Sequence, residues 1–260
     1  DVQGKIAFST DSYVVSPLFF PGGNIGDLAI NGTVNDLAMC GAMAKYLSLS
    51  FILEEGLPMT QFWEILQTIR QAADQAGVQI VTGDTKVVER GKGDGIFINT
   101  SGIGMVHPAA AMGWQAIQPG DKIILNGPVA AHGIAIMSRR SGLDFETDVL
   151  SDTAPVHRAV EALLNAFGSQ IHFLRDATRG GVASVTNEIA ADGKVGIELW
   201  QKHIPVAEQV AGACEMLGLD PLYVANEGVF AAIVAAEVAD DACALLQASG
   251  WPQACIAGVV

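Results

Sequence analysis

The sequence predicts an α/β (α+β) protein of two domains, on three observations. Strand-like and helix-like segments alternate along the whole chain, with Gly and Pro between them. The pattern lapses through Met112 to Gly120 into Gly, Gln and Pro, which divides the chain into residues 1–115 and 116–260. Its 260 residues suit about two domains of roughly 100–200 residues, and with 50% hydrophobic and 16% charged residues there is enough apolar material for both cores.

The elements follow in order. Lys5 to Thr10 alternates apolar Ile6 and Phe8 and predicts a strand running into Asp11. Asn24 to Ala44 has helical spacing through Leu28, Val34, Leu37 and Ala38, and Tyr46 to Leu53 reads as a strand. The next helix follows Pro58, with Thr60 able to cap it. Its stripe is Phe62, Ile65, Leu66, Ile69 and Ala73, and Gly77 ends it. Val78 to Val81 and Ile96 to Met105 read as strands.

The second half restarts with a strand at Lys122 to Leu125 and a helix from about Val129. Asp144 reads as a turn residue. A helix opens near Pro155, behind Ser151, Asp152 and Thr153, any of which can cap it. Further helices start after Thr178, at Pro205 and near Glu237, with strands at Gly196 to Leu199, Val229 to Val234 and Cys255 to Val259.

Charge narrows the function. Asp and Glu number 28 against 14 Lys and Arg, a net charge of −14, so neither nucleic acid nor an anionic membrane finds a basic stripe to dock on. A polyanionic substrate entering so acidic a protein needs a metal ion. The apolar run Val229 to Ala236 is far short of the roughly 20 residues that span a bilayer. Cys40, Cys214, Cys243 and Cys255 are scattered with no C-x-x-C pair, which suits reduced thiols in the cytoplasm. The chain starts at Asp1 without methionine and stops at Val260 inside an apolar segment, as though trimmed at both ends.

Asp11 ends the first strand, Asp36 lies inside a helix, and Asp84 follows Thr82-Gly83 where a strand stops. Carboxylates converging from separate elements repel unless they share a hard cation such as Mg²⁺; taken singly, each reads first as a cap or turn aspartate. Pro21-Gly22-Gly23-Asn24-Ile25-Gly26 leads into a helix and offers backbone amides to an anion, or is a plain tight turn. Arg175-Asp176-Ala177-Thr178-Arg179-Gly180-Gly181 opens another helix and suits anion binding or pairing with its own aspartates. Glu227, between Asn226 and Gly228, is a solvated turn residue or a carboxylate aimed into a cleft. Lys86 offers a point charge to phosphate or stands on the surface. His132 stands beside a glycine turn and a helix start.

Taken together, Ser9-Thr10-Asp11-Ser12-Tyr13-Val14-Val15, Phe19-Phe20-Pro21-Gly22-Gly23-Asn24-Ile25-Gly26 and Gly32-Thr33-Val34-Asn35-Asp36-Leu37-Ala38 closely resemble the HypE family of hydrogenase maturation factors. So do Phe51-Ile52-Leu53-Glu54-Glu55-Gly56-Leu57-Pro58, Val81-Thr82-Gly83-Asp84-Thr85-Lys86-Val87-Val88, Arg175-Asp176-Ala177-Thr178-Arg179-Gly180-Gly181-Val182 and Ala225-Asn226-Glu227-Gly228. That family shares a superfamily with aminoimidazole ribonucleotide synthetase, selenide water dikinase and thiamine monophosphate kinase.

The resemblance implies a two-domain PurM-like fold. Its N-terminal ATP-binding domain pairs strands across a homodimer into a β-barrel, a C-terminal α/β domain follows, and ATP lies in the cleft between domain and dimer surfaces. It implies a glycine-rich loop that would precede Asp1 and a tail ending Pro-Arg-Ile-Cys that would follow Val260; Cys255, in a strand-like context, is not taken as the acceptor thiol. HypF would carbamoylate the tail cysteine, ATP would drive dehydration to a thiocyanate, and a HypC–HypD complex would receive the cyanide.

Carried onto this sequence, the resemblance gives Asp11, Asp36 and Asp84 to Mg²⁺. Gly22, Gly23, Asn24, Asn35, Asp176, Thr178, Arg179 and Gly180 join them around ATP, with Lys86 as the cation. Glu227 is the expected base, its pKa raised in a dry cleft, with His132 second. A sibling ATP-using enzyme of the thiamine monophosphate kinase kind, or a non-catalytic assembly module, are the alternatives.

Overall fold

A computed structural model describes residues 4–141 and 149–260. Asp144 therefore lies outside the described residues.

The first half is a four-stranded sheet covered on one face by two helices. β1 (Ile6–Tyr13), β4 (Ala42–Glu54), β5 (Gln79–Val88) and β6 (Ile96–Val106) lie in the order β1-β6-β4-β5. The β1–β6 and β6–β4 pairs are antiparallel. The β4–β5 pair is parallel, as the crossover through α2 (Met59–Ala76) requires. A small hairpin of β2 (Phe19–Phe20) and β3 (Gly23–Asn24) leads into α1 (Ile25–Met39). The core joins Ile25, Leu28 and Ile30 of α1 and Ile65 and Ile69 of α2 to Leu47 of β4 and Ile98 of β6.

Helix α1 is buried on nearly all sides because it lies between this sheet, α2 and the second half of the chain. Its apolar residues therefore recur all round the helix, with Asn31, Thr33 and Asn35 buried among them. The other face of the sheet carries Ile6, Phe8, Tyr46, Ile52 and Ile103, all exposed, with Phe8 at 65%. The alternation that marks β1 as a strand thus points its large apolar side chains away from the core and its Ser9, Asp11 and Tyr13 inward.

The second half is an antiparallel sheet in the order β8-β10-β7-β11-β9, made of β7 (Lys122–Leu125), β8 (Ile171–Asp176), β9 (Glu198–Leu199), β10 (Phe230–Val234) and β11 (Cys255–Val259). One face packs on α4 (His157–Phe167) and α7 (Ala239–Ala248), the other on α5 (Gly181–Gly193). Helices α3 (Ala131–Ser141) and α6 (Glu208–Leu217) form a smaller cluster beside them. Among the described residues no helix is long and apolar enough to cross a membrane.

Several local expectations are corrected. β1 continues to Tyr13, so Asp11 lies within the strand. α1 ends at Met39, and Gly41, at φ +69°, turns the chain into β4 well before Ala44. Pro58, not Thr60, occupies the N-cap of α2, with no side-chain cap. β5 runs through Gly83 to Val88, which puts Asp84 in mid-strand, because pairing with β4 continues past the glycine. β8 had no predicted counterpart, since its polar His172, Arg175 and Asp176 hide the alternation. α4 starts at His157 behind Val156, and none of Ser151, Asp152 or Thr153 caps it. The last three helices also start later than expected, at Gly181, Glu208 and Ala239.

Candidate active site

A cleft of about 1550 Å³ lies where β1 and α1 of the first half face β8, α3 and the turn before β10. It gathers Asp11, Asn35, Asp36, His132, Asp176, Thr178, Arg179 and Glu227 of the expected site residues, and adds Cys40, Arg140 and Arg175. Gly180 stands just behind them as the left-handed N-cap of α5.

Two groups of expected residues lie elsewhere in this chain. Asp84 and Lys86 pair with each other at 3.0 Å on exposed β5. Asp84 is in register with Ser50, Asn99 and Ser12 in turn, so three strand spacings, about 14 Å, separate it from β1. Among the described residues no three His, Cys, Asp or Glu are grouped to hold a metal.

Gly22, Gly23 and Asn24 do not line the cleft. Asn24 caps α1, accepting from the Gly26 amide at 2.7 Å while its own amide donates to Asp27, so the protein's own side chains serve this helix start. A Cβ on Gly22 would stand 2.8 Å from the Ser151 nitrogen, and Ser151 N–H donates to Pro21 O at 2.8 Å. That glycine turn seats the loop that carries Ser151.

Several side chains in the cleft are held by neighbours. Ser9 Oγ donates to Asp36 Oδ2 at 2.8 Å. Asn35 is fully engaged: Nδ2 donates to Ala154 O and Glu227 O, and Oδ1 accepts from Val156 N–H, which ties α1 to the Glu227 turn. Tyr13 Oη meets Thr33 Oγ1 at 3.2 Å, and Thr33 in turn meets Thr100, so a buried hydroxyl chain joins β1, α1 and β6. His132 Nε2 lies 3.9 Å from Glu227 Oε1, too long for a hydrogen bond. Arg175 pairs with Glu188 at 3.1 Å.

The electrostatics follow from crowding acid groups in a closed place. Burial pushes the Glu227 carboxyl up to about 8, with Asp152, Asp176, Asp11 and Asp36 adding to the rise. Asp36 rises to about 6, first from burial and then from Asp176 and Asp11, against the Ser9 hydrogen bond and Arg175. Burial and Arg140 depress His132 to about 4. At pH 7 His132 is therefore neutral and Glu227 largely protonated, so their proximity is not an ion pair. Such a site can hold a phosphorylated substrate through cations, and can take a proton at Glu227. Sequence reasoning missed Ser9, Tyr13, Arg140 and Asp152 as cleft or supporting residues; the one signal was the polar run Ser9-Thr10-Asp11, where Ser9 is two residues from Asp11.

Residues 1–106 match the model of the AIR synthase related protein, N-terminal domain, and 118–260 the model of its C-terminal domain. The carbamoyl dehydratase HypE of Rhizobium leguminosarum bv. viciae is 51% identical over 94% of this chain and 70% of its own length. A crystal structure of hydrogenase maturation protein HypE in complex with ATP is 48% identical and superposes with a TM-score of 0.96, covering 100% of this chain and 77% of that one. A HypE–HypF complex is 45% identical with a TM-score of 0.95, over 98% of this chain and 83% of that one.

Proposed function

The chain belongs to the AIR synthase related family and, within it, to the HypE proteins, and from that premise we propose that it is an ATP-dependent carbamoyl dehydratase of hydrogenase maturation. Its reaction turns the thiocarbamate on a C-terminal cysteine into a thiocyanate, whose cyanide becomes a ligand of the nickel–iron hydrogenase iron. The observation that carries this reading is the cleft in which a carboxyl raised to about 8 stands with carboxylates and arginines from both halves of the chain. The names of relatives at about half identity and the HypE structure with ATP support it.

The amide oxygen of a carboxamide is a poor leaving group. The γ-phosphoryl of ATP is transferred to it and ADP leaves, with one proton lost from nitrogen. The C–O bond then breaks with its electron pair departing on phosphate, a second proton leaves nitrogen, and the nitrogen electrons complete the C≡N bond. Glu227 takes that proton, and neutral His132 stands beside it. Arg175 and Arg179 face the phosphates, for which positioning and charge neutralisation supply most of the catalysis. Asp11 and Asp36 fit Mg²⁺: they are oxygen donors in one cleft, and the pKa of Asp36, raised first by burial, is raised further by Asp176 and Asp11, a crowding of carboxylates that a hard cation would relieve. When bound, that ion supplies charge neutralisation at the triphosphate.

Asp84 and Lys86 join this scheme in trans. Residues 1–115 form a nucleotide-binding and dimerisation domain, residues 116–260 the C-terminal domain. Pairing the exposed apolar sheet faces of two subunits covers them and brings one subunit's β5 beside the other's cleft. HypF supplies the carbamoyl group, which a solved HypE–HypF complex supports. A HypC–HypD complex receives the cyanide, in the cytoplasm where the acceptor thiol stays reduced.

The test is direct. A version carrying the cysteine tail, carbamoylated by HypF from carbamoyl phosphate, loses the mass of one water when ATP is added. A sibling kinase would instead phosphorylate a small molecule without any tail, and an assembly module would bind no ATP; either result sinks the reading. For the trans arrangement, inactive Asp36→Asn and Asp84→Asn proteins are unfolded together and refolded. Random pairing should restore roughly a quarter of wild-type turnover, since half the dimers are mixed and each has one intact site. No recovery places Asp84 outside the partner's cleft.

A further inference from the structure

Asp152 uses both carboxylate oxygens on the turn and helix that carry the chemistry. Oδ1 accepts the His132 amide at 2.8 Å, and Oδ2 accepts the amides of Glu227 and Gly228 at 3.0 and 2.9 Å. Beside it, Ser151 Oγ accepts the Thr153 amide at 3.1 Å and lies 2.9 Å from His132 Nδ1. Two consecutive residues therefore touch Glu227 through its backbone and His132 through both backbone and ring. From the opposite side Asn35 holds the Glu227 carbonyl, so the peptide bearing Glu227 is fixed at both ends.

The packing leaves little slack in this arrangement. A Cβ on Gly228 would fall 2.1 Å from the Asp152 carbonyl oxygen, so the loop and the Glu227 turn lie against each other with no room for a side chain. Hydrogen bonds from several amides to one carboxylate are short and charge-assisted, which makes the junction stiff. Burial raises the Asp152 carboxyl against the pull of those amides, and its charge stands among the groups that raise Glu227. A carboxylate here costs desolvation, which a purely apolar contact would avoid.

We propose that Asp152, assisted by Ser151, is a positioning residue for the dehydration step, setting the distance and orientation of Glu227 relative to His132 without touching the substrate. This rests on Glu227 being the base. Asp152→Asn keeps the shape but turns an NH₂ group towards amide donors, so part of the three-amide clamp is lost. Ser151→Ala removes the contact to the His132 ring and the bond from the Thr153 amide, and leaves the Asp152 clamp in place.

In the full-length carbamoylated protein, Asp152→Asn should lower kcat for water loss about 10–100-fold while leaving the KM for ATP within about twofold, because misplacing a reacting group by an ångström damages the chemical step more than binding. The ¹⁵N resonances of the His132 ring should shift in Asp152→Asn and in Ser151→Ala, measured without nucleotide. Ser151→Ala should lose about tenfold in kcat by the same reasoning, and it carries the test if Asp152→Asn does not fold.

Wild-type kcat in the folded variants, an equal loss in ATP binding, or unmoved ring resonances overturns the proposal. Glu227→Gln is run in parallel. If it dehydrates at the wild-type rate, the base assignment itself falls and takes this proposal with it. If it is inactive while Asp152→Asn is normal, the positioning role alone is wrong.

Discussion

Asp36→Asn is expected to abolish ATP turnover while making the protein more heat-stable at neutral and alkaline pH. Asn keeps the volume and still accepts the Ser9 hydroxyl, so the fold around α1 has no reason to change. It removes an oxygen donor and a charge from the place where phosphate and cation must meet. Losses of about 10²–10³ in rate are typical when one electrostatic stabiliser is removed from a closed site.

The stability gain has the opposite origin. The carboxyl titrates at about 6 in the folded chain against an ordinary 3.8, so the folded state holds this proton more tightly than the unfolded one. Its stabilising effect is therefore complete below about pH 3.8 and is lost as pH rises through 6. Above that, the ionised carboxylate costs on the order of 2–3 kcal/mol, which the amide avoids. Thermal unfolding of the cation-free protein should show Asp36→Asn melting higher than wild type at pH 8 and about equal to it at pH 4. Retained ATP turnover, or a lower melting point at pH 8, contradicts the assignment. A residue whose replacement costs activity and adds stability is one kept for function.

Glu227→Gln separates binding from chemistry. The amide preserves shape and the backbone contacts to Asp152 and Asn35, so ATP should bind with unchanged affinity. It cannot accept a proton, and formation of thiocyanate should fall by about 10²–10⁴. The pH profile gives a second reading. With the carboxyl at about 8, the base form is scarce at pH 6 and dominant at pH 9. In wild type, kcat/KM for the free protein should climb tenfold per pH unit below about 8 and flatten above it, since that parameter reports the unliganded enzyme. The variant's residual rate should be flat over the same range. An acid limb that survives in Glu227→Gln assigns the titration to another group; His132, at about 4, lies too low to produce it.

Much of this protein is written locally. The i, i+4, i+8 stripe of Ile65, Ile69 and Ala73 with Gly77 behind it makes α2 under almost any tertiary arrangement, because the signal lies within five turns of chain. The run Val229 to Val234 reads as a buried strand, and it is β10, an interior strand between β8 and β7. The acidic excess and the shortness of the apolar run Val229 to Ala236 likewise need no coordinates. The motifs also carry the family, since Asp11, Asp36, the Arg175–Gly181 cluster and Asn226–Gly228 each stand in a distinctive short phrase.

What the sequence does not hold is which of those phrases meet. Asp11, Asp36, Asp176 and Glu227 share one cleft because β1 and α1 pack against β8 and the turn before β10, which brings the first two to the last two across at least 140 residues of chain. Asp84, in an equally distinctive phrase, stays on the far edge strand because β6 and β4 lie between it and β1. Read locally, Gly22-Gly23 is an anion-binding turn and Asp152 a helix cap; in the fold, Gly22 makes room for the loop that carries Asp152, and Asp152 clamps the backbone of Glu227. Secondary structure follows from periodicity within a few turns, so the chain alone settles elements such as α2 and β10, though not β8, whose polar residues hide its alternation. Convergence of charge and the raised pKa of Glu227 depend on burial and on neighbours remote in sequence, so only the packed tertiary structure decides them.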